Sequence, residues 1–144
     1  MKLEGRCLCG AVTYAFEGSP MFVFHCHCRD CQRAGGSVVH YGLIVPEAGF
    51  TLQGELRPYT SKAESGRAIT REFCPTCGSG VINRLEMAPG AVVIRGGTLD
   101  DPTVVAPTFE LYARTKPAWL KTDERMRSFD AAANAPREEL SWHN

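Results

Sequence analysis

The sequence predicts a small, β-rich domain stapled by metal, and three observations carry that prediction. Apolar residues come in short runs broken by Gly, Pro and Asp rather than at a sustained helical spacing. All seven cysteines fall in three tight clusters, Cys7-Leu8-Cys9-Gly10, Cys26-His27-Cys28-Arg29-Asp30-Cys31 and Cys74-Pro75-Thr76-Cys77-Gly78, and none stands apart. Thiols two or three residues apart are the spacing of metal sites, whereas buried cysteines acting as small hydrophobes have no reason to pair this way. A chain of 144 residues is one domain, large enough for a single core and small enough to gain from a staple.

Charge narrows the function. Sixteen basic and sixteen acidic residues cancel, and a pI near 6.9 leaves no basic footprint of the kind that neutralising phosphates requires, so no nucleic-acid partner is expected. No stretch approaches the roughly 20 apolar residues of a membrane span, and the opening Met1-Lys2-Leu3-Glu4-Gly5-Arg6 has no signal-like apolar run. The expectation is a cytoplasmic protein without a membrane partner. Thiols there are kept reduced, which together with their odd number favours metal binding or catalysis over disulfides.

Taken in order, residues 3–16 read as a hairpin bent at the first cluster, with Val12, Tyr14 and Phe16 alternating against Ala11, Thr13 and Ala15. Zinc lies about 2.3 Å from each sulfur and so places ligand sulfurs roughly 3.8 Å apart. Side chains two apart on a straight strand start about 6.6 Å apart, so the backbone must curl, and Gly10 can take the positive φ of such a knuckle. Residues 21–24 form an apolar run suited to a buried strand that leads into the central cluster. Residues 29–34 lack Gly and Pro and predict one or two helical turns, stopped by Gly35-Gly36. Cys28 and Cys31 would share a face of that helix, with Cys26 approaching from the strand before it.

Residues 37–45 read as a strand ending at Pro46. Two short runs, 50–53 and 56–59, are separated by Gly54-Glu55 and read as a meander. The polar stretch 61–67 predicts a surface loop. Residues 69–73 form a strand leading into Cys74-Pro75-Thr76-Cys77-Gly78, a second knuckle. Residues 81–82 and 91–95 continue the strands about a Pro89-Gly90 turn, and residues 109–112 are the last. The domain is expected to span residues 1–122, with 123–144 a polar, Ala-rich tail on the surface or partly disordered.

The thiols divide four plus three. The outer knuckles each pair two thiols ahead of a glycine, and two such hairpins face to face make a closed tetrahedral zinc site from Cys7, Cys9, Cys74 and Cys77. Cys26, Cys28 and Cys31 offer only three thiolates, so a second zinc there would keep an open position, where zinc does chemistry. Alternatively a histidine closes this site, with His25, His27 and His40 as candidates, or the trio holds no zinc and serves as reactive thiols. His25 and His27 alternate with the ligands and are expected to point away from the metal, on the outside or in local hydrogen bonds.

The order of motifs resembles the family of glutathione-dependent formaldehyde-activating enzymes, which also includes centromere protein V. The resemblance covers roughly residues 5–119. It rests on Cys7-Leu8-Cys9-Gly10-Ala11-Val12, Cys26-His27-Cys28-Arg29-Asp30-Cys31-Gln32-Arg33 with Gly36-Ser37, Arg71-Glu72-Phe73-Cys74-Pro75-Thr76-Cys77-Gly78-Ser79, and Gly97-Thr98-Leu99-Asp100. It implies a β-tent fold, short antiparallel sheets pinned by zinc, and the same four-plus-three zinc assignment. It also implies a carbon-sulfur lyase that joins a small thiol such as glutathione to formaldehyde, giving S-(hydroxymethyl)glutathione, or cleaves the adduct. Arg29 or Arg33 could then hold a carboxylate of the thiol. The alternative from another class is a non-catalytic, zinc-stapled thiol or metal carrier.

Overall fold

The computed structural model describes residues 1–131, and the backbone of those residues is organised by two sheets. The first is a three-stranded antiparallel sheet of β1 (Lys2–Arg6), β2 (Thr13–Glu17) and β5 (Phe50–Gln53), in the order β1-β2-β5. Its hairpin bends at the first cysteine cluster, with Arg6 opposite Thr13 and Lys2 opposite Glu17. Leu3, Tyr14 and Phe16 point inward, so the strands alternate as a half-buried sheet should.

The second sheet contains β3 (Phe22–Cys26), β4 (His40–Pro46), β6 (Arg57–Lys62), β7 (Ala68–Phe73), β8 (Gly80–Leu85), β9 (Ala91–Arg95), β10 (Phe109–Leu111) and β11 (Arg127–Ser128). They run in the order β11-β10-β3-β4-β9-β8-β7-β6. One face packs on the small sheet through Leu43, Val45, Val92, Ile94 and Ile82. The opposite face carries Phe24, Ile44, Val93 and Phe109. The central strands are apolar on both faces because both faces are covered. Only one α-helix lies among the described residues, α1 (Arg29–Gly35), stopped by Gly36 at φ 64° as the double glycine predicts. No helix among them is long and apolar enough to cross a membrane.

Three expectations need correction. Strands β5 and β6 are not a meander: β5 pairs with β2, β6 with β7, and the chain crosses between sheets at Gly54. A Cβ at Gly54 would come 2.3 Å from the Ala11 carbonyl, and its φ is 99°, so glycine is required at this crossing. The loop expected at 61–67 is shorter, because Ser61 and Lys62 complete the edge strand β6, whose Arg57, Pro58 and Lys62 protect it from further pairing. And the last strand is not antiparallel: β10 lies parallel to β3, with Glu110 opposite His25, and β11 lies parallel to β10. Of the expected tail, residues 123–131 supply β11 and Phe129, which packs edge-on against Phe109; residues 132–144 lie outside the described residues.

Candidate metal centres

The outer knuckles are near copies of each other. Gly10 donates its N–H to the Cys7 carbonyl at 3.1 Å and Gly78 donates to the Cys74 carbonyl at 2.8 Å. Both glycines stand at φ 77°, a backbone conformation that a Cβ would strain. The turns bring four sulfurs within 4.8 Å of one another. Cys7 and Cys9 Sγ are 3.6 Å apart and Cys9 and Cys74 Sγ 3.8 Å, close to the roughly 3.8 Å edge of a sulfur tetrahedron about zinc. Ser79 ties the knuckles together: Leu8 N–H donates to its hydroxyl at 3.1 Å, and that hydroxyl sits 3.1 Å from Cys77 Sγ. Hydrogen bonds from Ser79 hold the Cys77 thiol down to about 5. This set could hold a metal ion, and its four sulfurs would close the coordination shell.

The central cluster forms where a strand becomes a helix. Cys26 ends β3 and is buried, Cys28 caps α1 and accepts the Cys31 N–H at 3.3 Å, and Cys31 lies in the first turn. Their sulfurs also lie within 4.8 Å of one another, and no histidine or carboxylate joins them among the described residues. Hydrogen bonds from the Cys26 and Cys31 thiols pull the Cys28 thiol to about 2, while the same bonding pushes Cys26 far up. A metal here would therefore have three protein ligands. All seven thiols are free of disulfides.

His25 and His27 stay out of the sulfur cluster, as the alternation predicts, but His27 is neither on the outside nor bonded locally. His27 is fully buried, and each of its polar atoms has a partner. Its backbone N–H donates to Leu111 O at 3.0 Å and its carbonyl accepts the Thr115 hydroxyl at 2.7 Å. Nε2 lies 2.8 Å from Glu110 Oε2 and Nδ1 3.3 Å from the Val38 carbonyl. Glu110 Oε1 accepts from Lys116 Nζ at 2.8 Å. Burial pushes the Glu110 carboxyl up, but hydrogen bonds from Lys116 and His27 outweigh it and hold it at about 2. The reach from residue 27 to residue 110 is what local reasoning could not see: His27 bonds across the parallel strand rather than to its neighbours. His25 is half-buried, between the rings of His27 and Tyr41. His40 sits directly opposite Cys26 on β4, buried and outside the sulfur cluster.

The same sheet face carries two arginines that the residue-by-residue reading did not single out for function. Arg71 is 9% exposed and donates to Ser61 Oγ at 3.1 Å. Arg95 lies opposite Gly42, its guanidinium between Gly35 and Gly80, where an added Cβ would come within 2.8 and 2.9 Å of it. Burial lowers Arg95, the Cys31 thiolate opposes that, and the Arg71 charge adds to it. Burial and the charges of Arg95 and Arg71 push the His40 imidazole down to about 3, leaving it neutral. Arg29 and Arg33, the expected carboxylate holders, are both exposed, and Arg29 donates to Gln32 on its own helix. The signal for Arg71 was present in its place three residues before Cys74; Arg95 had none beyond the glycines that follow it.

Two surface clefts lie elsewhere. One of about 240 Å³ is lined by His25, Pro107, Leu120 and Met126 among others, and one of about 310 Å³ by Arg6, Thr13, Gln53 and Asp100 on the small sheet. Neither is lined by a cysteine.

A protein of Halomonas elongata, provisionally named a glutathione-dependent formaldehyde-activating enzyme, is 26% identical over 155 aligned positions, covering 99% of this chain and 95% of its own. The crystal structure of a Rhodobacter sphaeroides protein superposes with a TM-score of 0.55 at 22% identity, covering 72% of this chain and 91% of that one, and shows the same fold. The family model described as glutathione-dependent formaldehyde-activating enzyme matches residues 2–115, a span that holds all seven cysteines, so the chain belongs to that family.

Proposed function

We propose that this protein is a zinc-dependent carbon-sulfur lyase that adds a small thiol to an aldehyde, or cleaves the adduct. The observation that carries the reading is the pairing of a four-sulfur set with a three-sulfur set that has no fourth protein ligand among the described residues. Cys7, Cys9, Cys74 and Cys77 would hold a structural zinc joining the two sheets. Cys26, Cys28 and Cys31 would hold a second, which when bound supplies Lewis acidity and lowers the pKa of a thiol at its open position.

The residues of the chain account for the rest. Burial of Cys26, and the half-burial of Cys28 and Cys31, limit the water around the reacting groups. The positive charge of Arg71 helps to lower the Cys28 thiol, and in the same way it would favour a thiolate over a thiol bound beside it. In the addition one carbon-sulfur bond forms, the carbonyl π pair moves to oxygen, and the proton lost by sulfur ends on that oxygen. Nothing is oxidised or reduced, so no redox cofactor is needed. Glutathione and formaldehyde are the substrates that the family description and the Halomonas relative's name bring to this chain.

The test is NMR exchange between formaldehyde and its glutathione adduct, with the uncatalysed rate subtracted and cysteine as a second thiol. The wild type should accelerate exchange, and Cys28→Ser should lose the acceleration while melting as the parent does. No acceleration by wild type with either thiol would favour the carrier reading.

A further inference from the structure

Among the described residues, β3, β4, β7, β8 and β9 carry two arginines and no carboxylate on the sheet face beside the three-sulfur cluster. Antiparallel partners share a face, so Cys26 and His40 form one row, Phe24, Gly42 and Arg95 the next, and Arg71 and Asn83 stand opposite each other further along. Gly42 contributes no side chain to its row, and Gly35 and Gly80 leave the space that the Arg95 guanidinium fills. Arg71 bonds only Ser61, and neither Arg71 nor Arg95 has a carboxylate partner among the described residues. One further polar group on this face is more than nine-tenths buried with an atom unpartnered, His40 at 6% exposure through Nε2, which in the Nε2–H tautomer donates to an oxyanion. Unpaired buried polar atoms are uncommon in native proteins and ask for a partner. A guanidinium presents a planar fork suited to an oxyanion.

We propose that Arg71 and Arg95 form an anion subsite beside the Cys26, Cys28 and Cys31 cluster, which selects thiols that carry a carboxylate over neutral thiols of the same length. The inference deepens the thiol-binding reading given above and rests on it for the identity of the ligand. The subsite itself rests only on the two arginines and their surroundings.

The probes are 3-mercaptopropionate and 3-mercapto-1-propanol, which differ in carboxylate against hydroxymethyl. Protein carrying zinc at the four-cysteine set and cobalt(II) at the trio is titrated with each, and sulfur-to-cobalt charge-transfer absorption reads binding without turnover. The acid should bind the wild type at least about tenfold more tightly, the range of a charge-assisted hydrogen bond. Arg71→Gln and Arg95→Gln should each reduce that preference, the acid's affinity falling by several-fold more than the alcohol's. Arg95→Lys, which keeps the charge and loses the fork, should fall between and guards against a Gln variant that misfolds.

Equal binding of the two thiols by wild type would overturn the subsite and leave the thiol-binding reading standing. A preference that survives in both Gln variants would overturn the assignment to these arginines. If neither thiol alters the cobalt bands, or no cobalt is held, the thiol-binding reading fails; the subsite is then judged by sulfate titration of the zinc-loaded protein. In that arm, shifts of the Arg71 and Arg95 Nε–H signals by NMR support it, and their absence removes it.

Discussion

Replacing Glu110 with Gln tests the buried strut behind the central cluster. Glu110 is 2% exposed, on a strand parallel to β3, and grips His27, the residue between Cys26 and Cys28. Its carboxyl falls from 4.5 to about 2, which at ~1.4 kcal/mol per pH unit corresponds to about 3 kcal/mol. Because the pKa is lowered on folding, that stabilisation is complete above about pH 4.5, roughly half gone near pH 3 and lost towards pH 2.

Glu110→Gln keeps the shape and one hydrogen bond to His27 but leaves the Lys116 ammonium without its counter-charge. Urea denaturation should therefore show the variant about 2 to 3 kcal/mol less stable at pH 7, with the gap to wild type closing between pH 4.5 and 2. A second readout separates the strut from general stability. Partners that orient metal-site residues typically change metal affinity about 10- to 100-fold, so the variant should lose zinc from the trio in a chelator competition while the four-cysteine set keeps its own. A stability gap that stays constant down to pH 2, or an unchanged zinc affinity at the trio, would refute the reasoning.

Two further outcomes follow from the same geometry. Cys74→Ala should lose the closed site and the fold together, since structural zinc can supply on the order of 10 kcal/mol of folding free energy; a variant that melts like the parent would show that the knuckles are not the staple. Gly5→Ala places a Cβ 2.2 Å from the Tyr14 hydroxyl and 2.5 Å from the Thr98 carbonyl, and such overpacking should cost about 1 to 3 kcal/mol in thermal or urea melts.

The knuckles, the hairpin through residues 3–16, and the helix stopped at Gly36 were legible because each is a local affair. Spacing, strand alternation and a glycine at positive φ decide them within a few residues. What escaped was set by partners far along the chain. A three-residue strand such as β10 carries no mark of whether its neighbour runs parallel or antiparallel, so its place beside β3, and with it the Glu110 grip on His27, could not be read. The alternation of His25 and His27 with the cysteines was correct as a rule about faces. It misplaced His27 because the face away from the sulfurs is covered by residues 110–116 rather than by water. Arg71 and Arg95 look like ordinary strand arginines until the sheet order brings β7 and β9 to the face that carries Cys26. Arg29 and Arg33 drew notice only because they stand beside cysteines in sequence, and the helix turns both to solvent.

The division of the seven thiols into a closed set and an open set is tested most directly by counting metal. Protein purified with zinc and without chelator, examined by native mass spectrometry before and after a mild chelator, should show two zinc ions per chain, of which one is readily removed. Cys28→Ser should show one ion, resistant to the chelator, with the fold intact, because residues 26–31 close only a short loop and add little to global stability. One ion in the wild type, two in Cys28→Ser, or loss of the chelator-resistant ion in that variant would contradict the division.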